Sequence, residues 1–206
     1  MINLYNVDCM KFMADKPDNV YDLAIVDPPY GIGADVGIGG DNKGIVKKYS
    51  SKWDDNIPDD EYFSELKRIS KNQIVWGVNY YNLKGGRVVW DKDNTGNFSD
   101  CEIAFQSFTN GIKKYTFRWN GMIQGDMKNK QKRIHPTEKP YELYRWLLKN
   151  YAKKGDKILD THGGSMSIAI ACHDMGFDLD LCELDKDYFQ AGKQRYEKHI
   201  SQLRMF

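Results

Sequence analysis

Paired cysteines are missing from this chain. Cys9, Cys101, Cys172 and Cys182 are scattered, with no CxxC spacing and no neighbouring histidine at ligand spacing. Neither a zinc site nor a disulfide framework is indicated, no metal is expected, and buried thiols are the simpler reading. Long apolar runs are missing too, since nothing approaches the roughly 20 residues that a membrane span requires. The opening Met1-Ile2-Asn3-Leu4-Tyr5 lacks the basic start and apolar core of a signal peptide. A soluble cytoplasmic protein with no membrane partner is therefore expected. Charge of one sign is also scarce: the formal net charge of +1 excludes a uniformly basic nucleic-acid binder and leaves local patches open.

What is present fits one domain over residues 1–206, long enough to bury a substantial core. Its most informative stretch is Leu23-Ala24-Ile25-Val26 running straight into Asp27-Pro28-Pro29-Tyr30. A short, branched, unbroken apolar run reads as a strand buried on both faces of a parallel sheet. The prolines end it and donate no backbone hydrogen bonds, so the carbonyls near Pro28 and Pro29 are expected to remain free as acceptors. A carboxylate, a carbonyl and a phenol ring then meet at the carboxyl end of a strand, where open α/β sheets bind ligands. Acceptors beside a stacking face suit a planar base with an exocyclic amino group. The bland alternative is a strand stop with Asp27 capping the next segment.

Before that stretch, residues 2–7 read as a strand ending at Asp8, with a short helix over Cys9–Ala14. After it, residues 31–56 are glycine-rich, carry Lys47 and Lys48, and have no period of two or of a helix, as expected of a mobile binding loop. Pro58-Asp59-Asp60-Glu61 opens a helix with Tyr62, Phe63, Leu66 and Ile69 along one stripe. Strands are expected at Gln73–Gly77, Arg87–Trp90, Asp100–Phe105 and Tyr115–Trp119, with Asn79-Tyr80-Tyr81-Asn82 as packing residues at a strand end. Residues 107–133 turn basic: Lys113, Lys114, Arg118, Lys128, Lys130, Lys132 and Arg133 face only Asp126 within the stretch, with Tyr115, Phe117 and Trp119 interleaved. Cations with aromatics suit phosphates and unstacked bases, and a solvated loop is the equal alternative. Pro140 is placed as the first residue of a helix carrying Leu143, Trp146, Leu147 and Tyr151. The strand Lys157–Asp160, the turn Thr161-His162-Gly163-Gly164-Ser165-Met166-Ser167 and the helix Ile168–Met175 come next. Glu183 ends the next strand about 20 residues beyond, where dinucleotide folds keep a ribose-binding acid. Asp185 caps a last amphipathic helix.

Taken in order, Asp8, Asp27-Pro28-Pro29-Tyr30, the basic stretch, His135-Pro136-Thr137-Glu138-Lys139-Pro140 and Asp160–Ser167 resemble the beta-class amino-directed DNA methyltransferases of phages and bacteria, over nearly the whole chain. The resemblance implies a doubly wound, mostly parallel α/β sheet of Rossmann-like type with circularly permuted motif order. It implies S-adenosyl-L-methionine as cofactor and double-stranded DNA as partner, in a bacterial or phage-infected cell and often beside a restriction enzyme. It assigns Asp27, Pro28, Pro29 and Tyr30 to the target base. Asp160, Gly163, Gly164 and Ser165 fall to the methionine half of the cofactor, with Thr137 and Lys139 near its amino-acid end, Glu183 to its ribose and Asp8 to its adenine. Asp27 and His162 are also counted with the cofactor, His162 either stacking or hydrogen-bonding there or standing as a polar residue in a surface turn. Lys47, Lys48 and the cations of 107–133 fall to DNA. Two positions depart from the family pattern: His162 replaces an aromatic residue, and Met166 replaces a glycine.

No Pro-Cys dipeptide of the cytosine-C5 type occurs. Adenine-N6 methylation by base flipping leads, cytosine-N4 methylation is the second reading, and a non-catalytic DNA-binding relative, motivated by Met166 and the short chain, is the third. The stretch between the two motifs is short for a recognition domain, which implies a brief target or a homodimer across a palindrome.

Overall fold

Short runs of branched and aromatic residues, buried on both sides, make the centre of a sheet. In chain order the strands are β1 (Ile2–Tyr5), β2 (Leu23–Val26), β3 (Gln73–Trp76), β4 (Gly86–Asp91), β5 (Cys101–Gln106), β6 (Ile112–Thr116), β7 (Trp119–Asn120), β8 (Ile123–Gln124), β9 (Lys157–Asp160) and β10 (Asp178–Cys182). The helices are α1 (Cys9–Ala14), α2 (Asp60–Ile69), α3 (Tyr141–Tyr151), α4 (Ser167–Met175) and α5 (Lys186–Leu203). This computed structural model describes residues 1–32, 57–94, 99–120, 123–128, 130–131, 133–135 and 137–203. Lys47, Lys48 and Lys132 lie outside them, as does nearly all of the expected loop 31–56.

Eight strands form one sheet in the order β1-β10-β9-β2-β3-β5-β4-β6, and β7 and β8 make a small separate ladder. All neighbours are parallel except around β5, which runs antiparallel to both β3 and β4. The period of two along β2 explains the layering: Leu23 and Ile25 join the core beneath α3, α4 and α5, whereas Ala24 and Val26 join the one beneath α1 and α2. Helix α2 starts where Asp59 accepts the Tyr62 amide at 2.9 Å and buries Tyr62, Phe63, Leu66 and Ile69. Each such side chain contributes about 1.5–3 kcal/mol of burial. The result is the doubly wound, mostly parallel α/β fold expected.

Three local expectations shift. The strand expected at Tyr115–Trp119 lies earlier, at Ile112–Thr116, as an edge strand. Its exposed lysines hide the alternation that burial would have produced. Pro140 is the N-cap of α3, with an extended ψ of 145°, and not its first helical residue. Of Asn79-Tyr80-Tyr81-Asn82, expected as packing residues, Tyr81 is buried but Asn79, Tyr80 and Asn82 are exposed, because residues 78–80 turn outward as a 3₁₀ turn after Gly77.

Gly77 has a φ of 78°, and a Cβ there would lie 2.2 Å from the Tyr30 ring. Gly77→Ala is expected to cost about 1–3 kcal/mol of stability through strain and displacement of that ring. Urea unfolding reads the effect; a midpoint equal to that of the parent protein would contradict it.

Candidate active site

The chain leaves β9 towards β10 and leaves β2 towards β3, so it departs in opposite directions from two neighbouring strands. Such a switch point opens a crevice at the carboxyl ends of the strands. A cavity of about 380 Å³ lies there, lined among others by Asp8, Asp27, Pro29, His135, Thr137, Lys139, His162, Gly163, Gly164, Ser165, Glu183 and Tyr188. That size lies within the range of ligand pockets. Every candidate cofactor residue named from the sequence lines it except Asp160, which is buried at the end of β9.

The turn after β9 is tied at each step. Asp160 Oδ1 accepts the His162 amide at 3.0 Å, the Gly163 amide donates to Cys182 O at 2.8 Å, and the Gly164 amide donates to Glu183 Oε2 at 2.7 Å. Glu183 Oε1 accepts the Asp185 amide at 2.8 Å. Glu183 thereby locks the glycine turn to the end of β10 and faces the cavity with its remaining lone pairs. Met166 takes a left-handed φ of 57°, but its side chain is wholly buried in the core against Gly192. The bulk that departs from the family pattern points away from the cavity. His162 stands edge-on to Tyr62 at 5.5 Å, and its Nδ1 is 2.9 Å from Thr161 Oγ1. Burial holds His162 near pKa 4 and His135 near 3, so both are neutral at pH 7.

Beside this turn, Asp27 is held by a cluster that comes from distant parts of the chain. Tyr30 Oη donates to Asp27 Oδ1 at 2.5 Å, and the Lys139 ammonium binds Asp27 Oδ2 and lies 3.3 Å from Tyr30 Oη. Lys139 also pairs with Glu102 at 3.1 Å, and Glu102 pairs with Lys92 at 2.6 Å. The Lys139 side chain is only 2% exposed, so its charge is directed at the two carboxylates and little of it faces the open cavity. Burial raises the Asp27 carboxyl above the ordinary range, despite the adjacent ammonium. At Glu102 burial acts the same way, but Lys139 and Lys92 outweigh it and hold the group near 2. Burial opposes the charge on Lys139, and the two carboxylates more than offset this. Sequence reasoning missed Glu102 and Lys92. The available signal was an acid within the apolar strand Cys101–Gln106.

The carbonyls at the proline pair are not free as expected. Tyr81 Oη donates to Pro28 O at 3.0 Å and to Pro29 O at 2.6 Å, and Tyr81 is buried. One hydroxyl proton shared by two carbonyls leaves acceptor capacity on both. Tyr80 lies parallel to Tyr30, with ring centroids 5.0 Å apart.

The basic stretch is less bare than it reads. Asp91 pairs with Lys114 at 3.1 Å, Asp93 pairs with Arg118, and Lys113 lies over the Tyr151 ring. Tyr115 stacks between Phe117 and Trp146, and Trp119 is buried with its Nε1 donating to Glu138 O at 2.9 Å. These aromatics pack the sheet against α3 and do not offer open faces to bases. Lys128 and Lys130 are exposed, and Arg133 is half-buried.

The acids around the cavity outnumber its cations, which favours a positively charged ligand carrying groups that donate to Glu183 and Asp8. Among the described residues no cluster of three or more His, Cys, Asp or Glu could hold a metal ion. No described helix is long and apolar enough to cross a membrane.

Residues 109–194 match the family model described as DNA methylase. The chain is 23% identical over 238 residues to the Type II methyltransferase M.HpaI of Haemophilus parainfluenzae, covering 94% of this chain and 74% of that protein. In structure it is similar to the M1.HpyAVI–SAM complex, with a TM-score of 0.64, 20% identity, and coverage of 95% of this chain and 100% of that one. It is also similar to the cytosine-N4-specific PvuII DNA methyltransferase, with a TM-score of 0.61, 12% identity, and coverage of 97% and 90%. These likenesses establish the fold as the one those methyltransferases share.

Asp160 gives the site a pH dependence with a definite sign. Burial first, then Asp27 and Glu183, raises its pKa from 3.8 to about 8, against the donated His162 amide. Between those values the folded chain keeps a proton that the unfolded chain has released. The group's contribution to stability is therefore full below the unfolded pKa and is lost as pH rises through the folded one. Asp160→Asn keeps an acceptor for His162 and does not titrate. In ligand-free protein it is expected to gain stability relative to the parent between about pH 5 and about pH 8 by denaturant unfolding. Parallel pH profiles for the two proteins would exclude the assignment.

Proposed function

We propose that this protein is an S-adenosyl-L-methionine-dependent DNA methyltransferase acting on the exocyclic amino group of a flipped base, with adenine N6 as the leading target. One observation carries the reading: the Asp27 carboxylate, set among acceptors and a phenol ring, shares a wall with an acid-lined cavity at the switch point of the sheet. The matched family model and the Type II relative support it.

The residues present fit the cofactor. Its sulfonium and ammonium charges suit a cavity bordered by Asp8, Asp27, Glu183 and Asp185, and its ribose hydroxyls suit Glu183. Asp160 beneath the turn, with Gly163, Gly164 and Ser165, would hold the methionine half, with Thr137 nearby and Asp8 towards the adenine. When bound, the cofactor supplies an electrophilic methyl group.

The rest of the mechanism falls to the chain's own side chains. The amine of adenine is a poor nucleophile because its lone pair is delocalised into the ring. With Asp27 and the Pro28 carbonyl each accepting one N–H, the nitrogen is held pyramidal and in line, which is positioning with electrostatic preorganisation. Tyr81 fixes that carbonyl. Extruding the base costs a few kcal/mol, and stacking on Tyr30 returns about 1–3 kcal/mol. A base on the face that Tyr80 covers replaces Tyr80. The exposed Lys128 and Lys130, with Lys47, Lys48, Lys113, Lys132 and Arg133, are assigned to DNA phosphates. Lys114 and Arg118 share their charge with Asp91 and Asp93 and contribute less.

Cytosine-N4 methylation remains the second reading, favoured by the likeness to the PvuII enzyme. The non-catalytic reading rests on Met166 and on the short chain, and the burial of Met166 away from the cavity weighs against the first of these grounds.

Incubation of the protein with radiolabelled cofactor and unmodified DNA is expected to yield labelled N6-methyladenine on nucleoside mass spectrometry; label on cytosine N4 would select the second reading. Asp27→Ala is expected to abolish transfer while cofactor binding stays measurable by titration. Normal turnover in that variant would refute the role of Asp27.

A further inference from the structure

We propose that Glu102 is a positioning residue for methyl transfer: through the shared ammonium of Lys139 it fixes the Asp27 carboxylate and tunes how readily that carboxylate takes up the proton which transfer releases. The proposal rests on the transferase reading above.

The geometry is specific. Lys139 Nζ touches both Asp27 Oδ2 and Glu102 Oε2, the second at 3.1 Å, and Glu102 Oε1 holds Lys92 at 2.6 Å. Two acids and two cations thus alternate from the cavity wall outward as Asp27, Lys139, Glu102 and Lys92. Glu102 reaches this edge only because β5 runs against its neighbours, which brings its first residues alongside the carboxyl ends of β3 and β4. Glu102 pairs with Trp90 across the β4–β5 ladder, and the Lys139 ammonium lies 5.4 Å from the Trp76 ring. The Lys139 end of the cluster is therefore enclosed by aromatic rings, where charges act strongly on one another, while Glu102 and Lys92 stay partly exposed.

The chemistry needs a proton acceptor. As the amino nitrogen forms its bond to the methyl carbon, the carbon–sulfur bond breaks with its electron pair going to sulfur, which leaves the nitrogen cationic. One N–H proton then passes to Asp27, neutralising both groups. An ammonium held wholly by Asp27 would make it a weak acceptor, and no ammonium at all would leave it protonated beforehand. Sharing Lys139 with Glu102 sets an intermediate basicity. The other groups facing Asp27 are Tyr30 from the same segment, Tyr144 on α3, Asp160 at the end of β9, and Tyr81, which binds the adjacent carbonyls. The Glu102 charge also acts on the Tyr30 and Tyr144 hydroxyls, but burial holds both phenols well above their usual range and uncharged, so the titration that a change at Glu102 shifts is that of Asp27 beside Lys139.

The test is the pH profile of kcat for methyl transfer to DNA. Activity requires ionised Asp27 and falls on the acid side through its pKa. Glu102→Gln removes a repelling charge and gives Lys139 wholly to Asp27, so the acid limb is expected to move down by about one pH unit. The plateau kcat should fall severalfold, with cofactor affinity and the KM for DNA unchanged. Glu102→Asp should return the limb towards the parent position. Lys92→Met leaves both carboxylates in place and removes a cation, so it should move the limb upward, and it serves as the test if Glu102→Gln does not fold. A limb that stays in place in a folded, active variant overturns the proposal. Absence of transfer by the parent protein would instead overturn the transferase reading, so the two failures are distinguishable.

Discussion

Burying the ammonium of Lys139 constrains everything around it. A charge that is 2% exposed is tolerable only with partners in place, and losing one partner of such a pair costs several kcal/mol. Its partners lie 112 residues away at Asp27 and 37 residues away at Glu102. The segment leading into α3, the end of β2 and the start of β5 therefore converge on one buried charge. This convergence closes one wall of the cavity. Trp119 adds to it by donating to the carbonyl of Glu138, next to Lys139, so the β7–β8 ladder is tied to the same segment.

The opposite wall is organised by Glu183. It accepts amides from both Gly164 and Asp185, which welds the glycine turn after β9 to the entry of α5. Burial raises the pKa of Glu183 in the wall and of Asp160 behind it, so both carboxyl groups are held at a cost that a cationic ligand would relieve. The proposed reaction arises from this asymmetry. In that proposal one wall takes the positively charged methyl donor, and the other holds the Asp27 carboxylate beside the Lys139 ammonium that Glu102 shares. The switch point of the sheet places the two walls side by side.

Much of this architecture could be read in the residues. The apolar run before Asp27, the glycine turn and the acid at Glu183 each carry a local signature of strand length, backbone freedom or strand-end chemistry. Helix α1 and the stripe on α2 could be read from periodicity, because their burial is set by a single face. The aromatics of the basic stretch misled: Tyr115 and Phe117 alternate with cations whether they stack on bases or, as here, on Trp146 and each other. The strand at 112–116 was displaced for a related reason, since an edge strand keeps its lysines in solvent and loses the period-two signal.

By itself, the sequence determined the two strand-end motifs and their order, because each is a short stretch of chain, and the resemblance those motifs carry implied the doubly wound class and nine candidate cofactor residues that line the cavity. Only the tertiary structure decided that Tyr81 holds the proline carbonyls, that Met166 turns into the core, and that Glu102 shares Lys139 with Asp27. These are contacts between segments far apart in the chain, and they depend on the reversed direction of β5, the left-handed turn at Met166 and the 3₁₀ turn after Gly77. Strand direction and side-chain facing arise from which neighbours a segment packs against, and no local pattern of residues records that choice.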